Sequence, residues 1–246
     1  MGSIERPQDE LIVLVTGFGP FKSDFPRNPS WDIAKSLPSY LPILNAKAPS
    51  AVRQASDLPA VRILVHPEPV RVTYSTVRAL IPKLWKPEFS GVPRIDIVLH
   101  IGMASTRPQY VLESLGHRDN YRILDLDSAL PIQDPERDDW PWQGVPSQLT
   151  TELDVDDVMA RWHKNLPENS IPLRLSTNAG RFLCDYIYFN SLAECFKNGE
   201  RRRVAFLHVP AAKTDPLAEY DQHITTGKEI AIQLIRSIVE SEVANA

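Results

Sequence analysis

Five short runs rich in Val, Ile and Leu, with helical patterns falling between them, constrain the fold of this chain more than any other feature. They are Leu11–Phe18, Val61–His66, Arg94–Gly102, Ile171–Thr177 and Arg203–Val209. Each ends in Gly, Pro or polar residues, and each is apolar almost without alternation. That is the pattern of strands covered on both faces. The helical patterns are Asn28–Leu41, Tyr74–Trp85 (interrupted by Pro82), Asp154–Leu166, Cys184–Lys197 and Thr225–Val243. Asn28 is the cap of the first, with Pro29 at its first helical position. The third has acidic residues in its first turn and Arg161, His163 and Lys164 near its end, as the helix dipole favours. Alternating strand and helix predicts an α/β sandwich with a largely parallel or mixed sheet. In such sheets ligands bind at the carboxyl ends of the strands.

Two stretches interrupt the alternation. Leu41–Pro59 reads as a loop, and Pro131–Thr150, with four prolines and two tryptophans, reads as an ordered excursion or a lid. No repeat and no linker divides the chain, so residues 1–246 are expected to form one domain. A chain of 246 residues buries a sizeable core without disulfides or metals. The net charge of -4 gives no electrostatic case for nucleic acid, and Arg201–Arg203 reads as a solvated strand entry. No apolar run approaches the roughly 18 residues of a membrane span. The polar start, MGSIERPQDE, lacks the apolar stretch of a secretory signal. Cys184 and Cys195 are too far apart along one helix to bridge. Reduced thiols point to a reducing compartment, most simply the cytoplasm. No Cys or His spacing suggests a metal site.

The strand ends carry the chemistry. After the first strand, Gly17 and Gly19 lack the third glycine of a dinucleotide fingerprint, Lys22 standing in its place, and Pro20 removes an N–H. Phe18, Phe21 and Phe25 in that loop read either as walls for a flat, weakly polar ligand or as a cap on the core. Arg107, Glu113 and His117 follow the third strand, and Glu113 alone reads more readily as solvated than as functional. Cys184 follows the Asn178-Ala179-Gly180 turn at a helix start. There the dipole lowers a thiol pKa and free amides stabilise an oxyanion. The competing reading is a small buried apolar residue, which is also the reading for Cys195. His208 ends the fifth strand and His100 stands equivalently in the third. Either would serve as base and acid for a cysteine nucleophile, and their positions do not choose between them.

The segment VLVTGFGPF followed by NPSW resembles the N-terminal motif of the pyroglutamyl peptidase I (C15 cysteine peptidase) family. NAGRFLCDYIYFNSL is similar to the family's cysteine segment, FLHVP to its histidine segment and LESLGH to its glutamate segment. The motifs come in the family's order from Val13 to Pro210. The resemblance implies a three-layer α/β/α sandwich of the phosphorylase/hydrolase-like type with a central twisted mixed sheet. It implies a Cys184–His208–Glu113 triad, which selects His208 over His100. It implies hydrolysis of an N-terminal pyroglutamyl residue from peptides through a thioester, without a cofactor. It carries the pocket onto Phe18, Phe21, Asn28, Phe182 and Leu183, and Arg107 onto the oxyanion region. The same scaffold with another blocked N-terminus as substrate, or as a non-catalytic binding protein, stands as the alternative. The chain departs from the family pattern at Lys22 and Ser23, in GMASTR and in the long Pro131–Thr150 stretch. These departures bear on the residue after pyroglutamate and on whether the chain is a tetramer or a monomer.

Overall fold

The computed structural model describes residues 10–21, 25–43, 58–167, 172–214 and 216–245. Its main sheet has six strands: β1 (Leu11–Gly17), β2 (Val61–Val65), β3 (Ile97–Ala104), β4 (Tyr110–Glu113), β7 (Leu173–Ser176) and β8 (Val204–Pro210). Their order is β2-β1-β3-β8-β4-β7. The first four run parallel. β4 pairs antiparallel to β8 and parallel to β7, which makes the sheet mixed. A separate antiparallel pair, β5 (Leu115–His117) and β6 (Gln148–Thr150), lies beside it.

Successive strand residues point to opposite faces, and here both faces are apolar. Val13, Val15, Leu99, Ile101, Leu207 and Val209 pack against α1 (Pro29–Ser36), α4 (Val155–Asn165) and α6 (Leu217–Ala244). Leu14, Val98, Val204 and Phe206 pack on the other side, against α2 (Tyr74–Leu84), α5 (Leu183–Lys197) and the buried Trp140 and Trp142. The short α3 (Pro87–Ser90) packs on α2. Helices on both faces make the three layers expected from the sequence. Burying one such aliphatic side chain contributes about 1.5–3 kcal/mol.

Several boundaries differ from the sequence reading, each for a physical reason. α1 stops at Ser36, because Leu37 precedes Pro38 and is driven to extended backbone (ψ 145°). α2 continues through Pro82, which lies two residues before its end and forgoes one backbone hydrogen bond. α6 starts at Leu217, eight residues before the expected Thr225. Its first turns are mostly exposed and polar, so they lack an apolar stripe, but the buried Tyr220 anchors them with a hydrogen bond of 2.6 Å to Asp32. β4, β5 and β6 were not expected as strands. Of the expected loop Leu41–Pro59, residues 44–57 lie outside the described residues, as do Lys22 and Ser23. Pro131–Thr150 is built onto α5, where Trp142 meets Tyr186 and Phe189 edge-on at 5.6 Å.

Candidate active site

The antiparallel register of β4 on β8 builds the first half of the site. Val111 lies opposite His208 and Glu113 opposite Phe206. The side chains of Glu113 and His208 are thus diagonal neighbours on one face, within reach of each other. His208 Nδ1 stands 2.8 Å from Glu113 Oε1, and both side chains are buried. A carboxylate at Nδ1 keeps the proton there and leaves Nε2 as the basic nitrogen. Arg107 Nη1 donates to the same Oε1 at 2.7 Å, and its Nη2 donates to the Asn178 carbonyl at 2.8 Å. The Tyr188 hydroxyl donates to the Glu113 carbonyl at 3.0 Å. Burial opposes ionisation of Glu113, but His208, Ser176 and Arg107 outweigh it and hold the carboxyl below its ordinary range.

Cys184 comes to the same face from α5. Gly180 sits at φ 89°, a conformation that strains other residues, and its N–H donates to the Asn178 side chain at 3.1 Å. The chain then enters α5 with Phe182 as N-cap in extended backbone and with no side-chain cap. The first amides of the helix therefore have no capping acceptor beside Cys184. The β-carbon that Gly102 lacks would lie 2.8 Å from Cys184 Sγ and 2.6 Å from the Phe206 ring. Gly102 is also the register partner of His208. The missing side chain is what lets sulfur and imidazole occupy one face of the sheet.

The expected low thiol pKa is corrected here. Burial pushes the Cys184 thiol from an ordinary 9.0 up to about 12, the Glu113 and Asp185 carboxylates push it the same way, and Arg107 opposes them. A helix N-terminus is worth about 0.3–2 kcal/mol, at most roughly one and a half pH units. Desolvation outweighs the helix end here and shifts the sulfur toward its thiol form.

Cys184 and His208 open onto a cavity of about 290 Å³. Phe18, Phe21, Asn28, Phe182, Leu183 and Arg107, the residues expected from the sequence, all line it, whereas Glu113 lies behind His208 and Phe25 is not in the lining. Phe21 and Phe182 meet at a tilt of 45° with centroids 4.8 Å apart, and Tyr74 meets Phe182 edge-on at 6.0 Å. Asn28 caps α1 through Ser30 and donates to the Gly19 carbonyl at 2.8 Å, so it holds the aromatic loop in place. The sequence reading did not assign Val72, Ile123, Arg181 or Ala104–Thr106 to the pocket, although they also line the cavity, as does Met103 in the divergent GMASTR segment. Met103 and Ala104 close β3 and Ser105 and Thr106 open the turn after it, so they were legible as a strand end. Val72 and Ile123 come from loops that carry no local signal.

Pro131–Thr150 contributes no lining residue. His100 stands apart, buried between Thr16 Oγ1 and Ser191 Oγ at 2.7 Å each, where burial drops its pKa to about 3. His117 lies 3.3 Å from the buried Asp185, whose pKa burial raises despite that partner. Among the described residues, no group of three or more His, Cys, Asp and Glu is placed to hold a metal ion, and no helix is long and apolar enough to cross a membrane.

The sequence model described as pyroglutamyl peptidase matches residues 87–239, more than half of the chain. A pyrrolidone-carboxylate peptidase of Thermococcus kodakarensis is 29% identical over 233 residues, covering 92% of this chain and 96% of that protein. The human pyroglutamyl-peptidase 1 is 29% identical over 203 residues, covering 82% of this chain and 80% of its own. Among solved structures, pyroglutamyl peptidase I from Bacillus amyloliquefaciens shares the fold, with TM-score 0.63, 23% identity and coverage of 93% and 95%.

Proposed function

The chain belongs to the pyroglutamyl peptidase family and is a cysteine peptidase, and we propose that it removes N-terminal pyroglutamyl residues from peptides through a thioester on Cys184. The observation that carries this reading is one cavity, walled by Phe18, Phe21 and Phe182, with Cys184 and His208 on its lining and Glu113 2.8 Å behind the imidazole.

The pyroglutamyl ring is a flat, uncharged lactam suited to an aromatic wall. With that ring seated, its exocyclic carbonyl carbon faces Cys184. The thiol is neutral, so its proton passes to His208 Nε2 as the sulfur attacks. The uncapped amides opening α5 receive the oxyanion. His208 then gives its proton to the departing amine as the C–N bond breaks. Water, deprotonated by His208, attacks the thioester, and the C–S bond breaks as His208 returns that proton to the Cys184 sulfur and pyroglutamate leaves. Glu113 keeps the imidazole in the required tautomer and stabilises its charged form, and Arg107 fixes Glu113. A free N-terminal ammonium is rejected because the aromatic wall gives it no partner once desolvated. On this reading the whole chain is one catalytic domain acting without a cofactor in a reducing compartment such as the cytoplasm.

The test is hydrolysis of pyroglutamyl-coumarylamide beside prolyl and alanyl analogues, by wild type, Cys184→Ala and His208→Ala under reducing conditions. Release from the pyroglutamyl substrate alone, absent in both variants, is expected. Release by Cys184→Ala at the wild-type rate, or none by wild type, overturns the reading.

A further inference from the structure

β4 lies between β8 and β7 in the sheet, so the carboxyl of Glu113 has a neighbouring strand on each side. On the β8 side stands His208, with Nδ1 2.8 Å from Oε1, and Arg107 Nη1 donates to that same oxygen at 2.7 Å. The second oxygen, Oε2, is buried and has no hydrogen-bond partner among the described residues. A buried carboxylate oxygen left without a donor is costly. A carboxylate held through one oxygen also turns easily, because the terminal torsion of glutamate is broad and two-fold. On the β7 side, Ser176 is the register partner of Glu113. Partners in register direct their side chains to the same face of a sheet, so the Ser176 hydroxyl flanks the carboxyl opposite His208. Its oxygen accepts from the Asn178 N–H at 3.0 Å. Its proton has a poor acceptor in the Asn178 carbonyl, which is 3.5 Å away and already takes Arg107 Nη2 at 2.8 Å. Ser176 is among the groups that hold the Glu113 carboxyl below its ordinary range.

We propose that Ser176 is a positioning residue of the active site: its hydroxyl donates to Glu113 Oε2 and so keeps Oε1 on His208. The inference rests on the Cys184–His208–Glu113 reading above. Two other hydroxyls of this region are committed elsewhere. Ser114 donates to the Ser176 carbonyl at 3.2 Å, and Tyr188 donates to the backbone carbonyl of Glu113 at 3.0 Å. Arg107 cannot take the same part, because it grips the oxygen that His208 uses and competes for it. The bond at Oε2 matters most during the reaction. As His208 takes the thiol proton, the imidazolium needs the carboxylate in one fixed orientation, and a donor on the second oxygen stops the group from turning. Ser176 also stands between the two halves of the site. The Asn178 turn that its oxygen holds continues through Gly180, whose N–H the Asn178 side chain accepts at 3.1 Å, to the helix start that carries Cys184.

The experiment measures kcat and KM for pyroglutamyl-coumarylamide with wild type, Ser176→Ala, Ser176→Thr, Glu113→Gln and the double variant Ser176→Ala/Glu113→Gln. Ser176→Ala is expected to lower kcat about tenfold, the worth of one hydrogen bond to a charged group, with KM unchanged. Ser176→Thr keeps the hydroxyl and suits a strand, so it is expected to restore most of the rate. In the Glu113→Gln background the alanine is expected to cost less than about twofold, because the bond it removes has lost its charged acceptor. A wild-type kcat for Ser176→Ala, or a threonine variant as slow as the alanine one, overturns the inference and leaves the triad standing. An equal loss in the glutamine background, or a loss carried in KM, assigns Ser176 to the Asn178 turn alone and also overturns it. A wild-type rate for Glu113→Gln, or no hydrolysis by wild type, overturns the triad reading and the inference with it.

Discussion

The place where a β-carbon on Gly102 would stand lies 2.8 Å from the sulfur of Cys184 and 2.6 Å from the ring of Phe206. Neither neighbour is free to yield. Phe206 is buried against Tyr188, and Cys184 is tied to the first turn of α5. Gly102→Ala is therefore expected to displace the sulfur from the His208 face. A displacement near 1 Å lowers kcat by about a hundredfold, while overpacking costs about 1–3 kcal/mol of stability. Steady-state kinetics and a thermal melt check both. Wild-type kcat with an unchanged melting temperature would show that the sulfur does not rest against Gly102.

The raised pKa of the Cys184 thiol predicts an unusual alkylation profile. A Cys184 pKa raised to about 12 leaves only about one part in 100,000 as thiolate at neutral pH. The rate of inactivation by iodoacetamide, without substrate, should climb about tenfold per pH unit from pH 7 to pH 10 with no plateau. A plateau near neutrality would mean a stable thiolate in the resting enzyme and a different first step.

In the proposed mechanism Glu113 acts through His208, so Glu113→Gln should lower kcat by between about a hundredfold and ten-thousandfold, with KM little changed. Its lowered pKa also has a signed consequence for stability. The group contributes stability above its ordinary value of 4.5, and that contribution is lost as pH falls through the depressed folded value. The Gln variant should thus be less stable than wild type at pH 7, with the difference narrowing below pH 4.5. Denaturant melts over that range measure it, and a constant difference would argue against a charged, paired Glu113.

His100 titrates on the opposite footing from a histidine that gains a partner. Burial lowers its folded pKa from 6.5 to about 3. Below pH 6.5 the unfolded chain takes up a proton that the folded chain refuses, so stability falls as pH drops through that window. The loss amounts to about 2–3 kcal/mol between pH 6.5 and 4.5. Glu113 adds its own loss only below that window. His100→Gln, which cannot titrate, should show a flatter acid limb in denaturant melts at pH 7, 5.5 and 4.5. Parallel curves for the two proteins would sink this assignment.

Much of the architecture was legible in the order of residues. Apolar runs without alternation marked β1, β2, β3, β7 and β8 as strands, because that pattern is local, but only β1, β3 and β8 are covered on both sides: β2 and β7 are the sheet's edges and β7 has no buried residue. Asn28-Pro29 and Asn178-Ala179-Gly180 announced helix starts for the same reason: caps and glycine turns act over a few residues. Phe18, Phe21, Phe182 and Leu183 were found because they adjoin those turns. β4 was not legible, since Tyr110-Val111-Leu112-Glu113 is too short to declare its direction, and only pairing with β8 makes it antiparallel. Ile123 and Val72 reach the cavity from loops bonded to each other's neighbours, an arrangement absent from either segment alone.

Chain order settled which residue types stand at strand ends and helix starts, because hydrophobic period and turn chemistry are properties of neighbours in sequence. Tertiary structure alone decided that Glu113 lies diagonal to His208 and that Gly102 leaves room for the Cys184 sulfur. It also decided that desolvation raises the thiol pKa. Register, close approach and desolvation are set by residues tens of positions apart. The helix-start argument for a low thiol pKa failed for that reason: burial by distant parts of the chain exceeded the field of the helix.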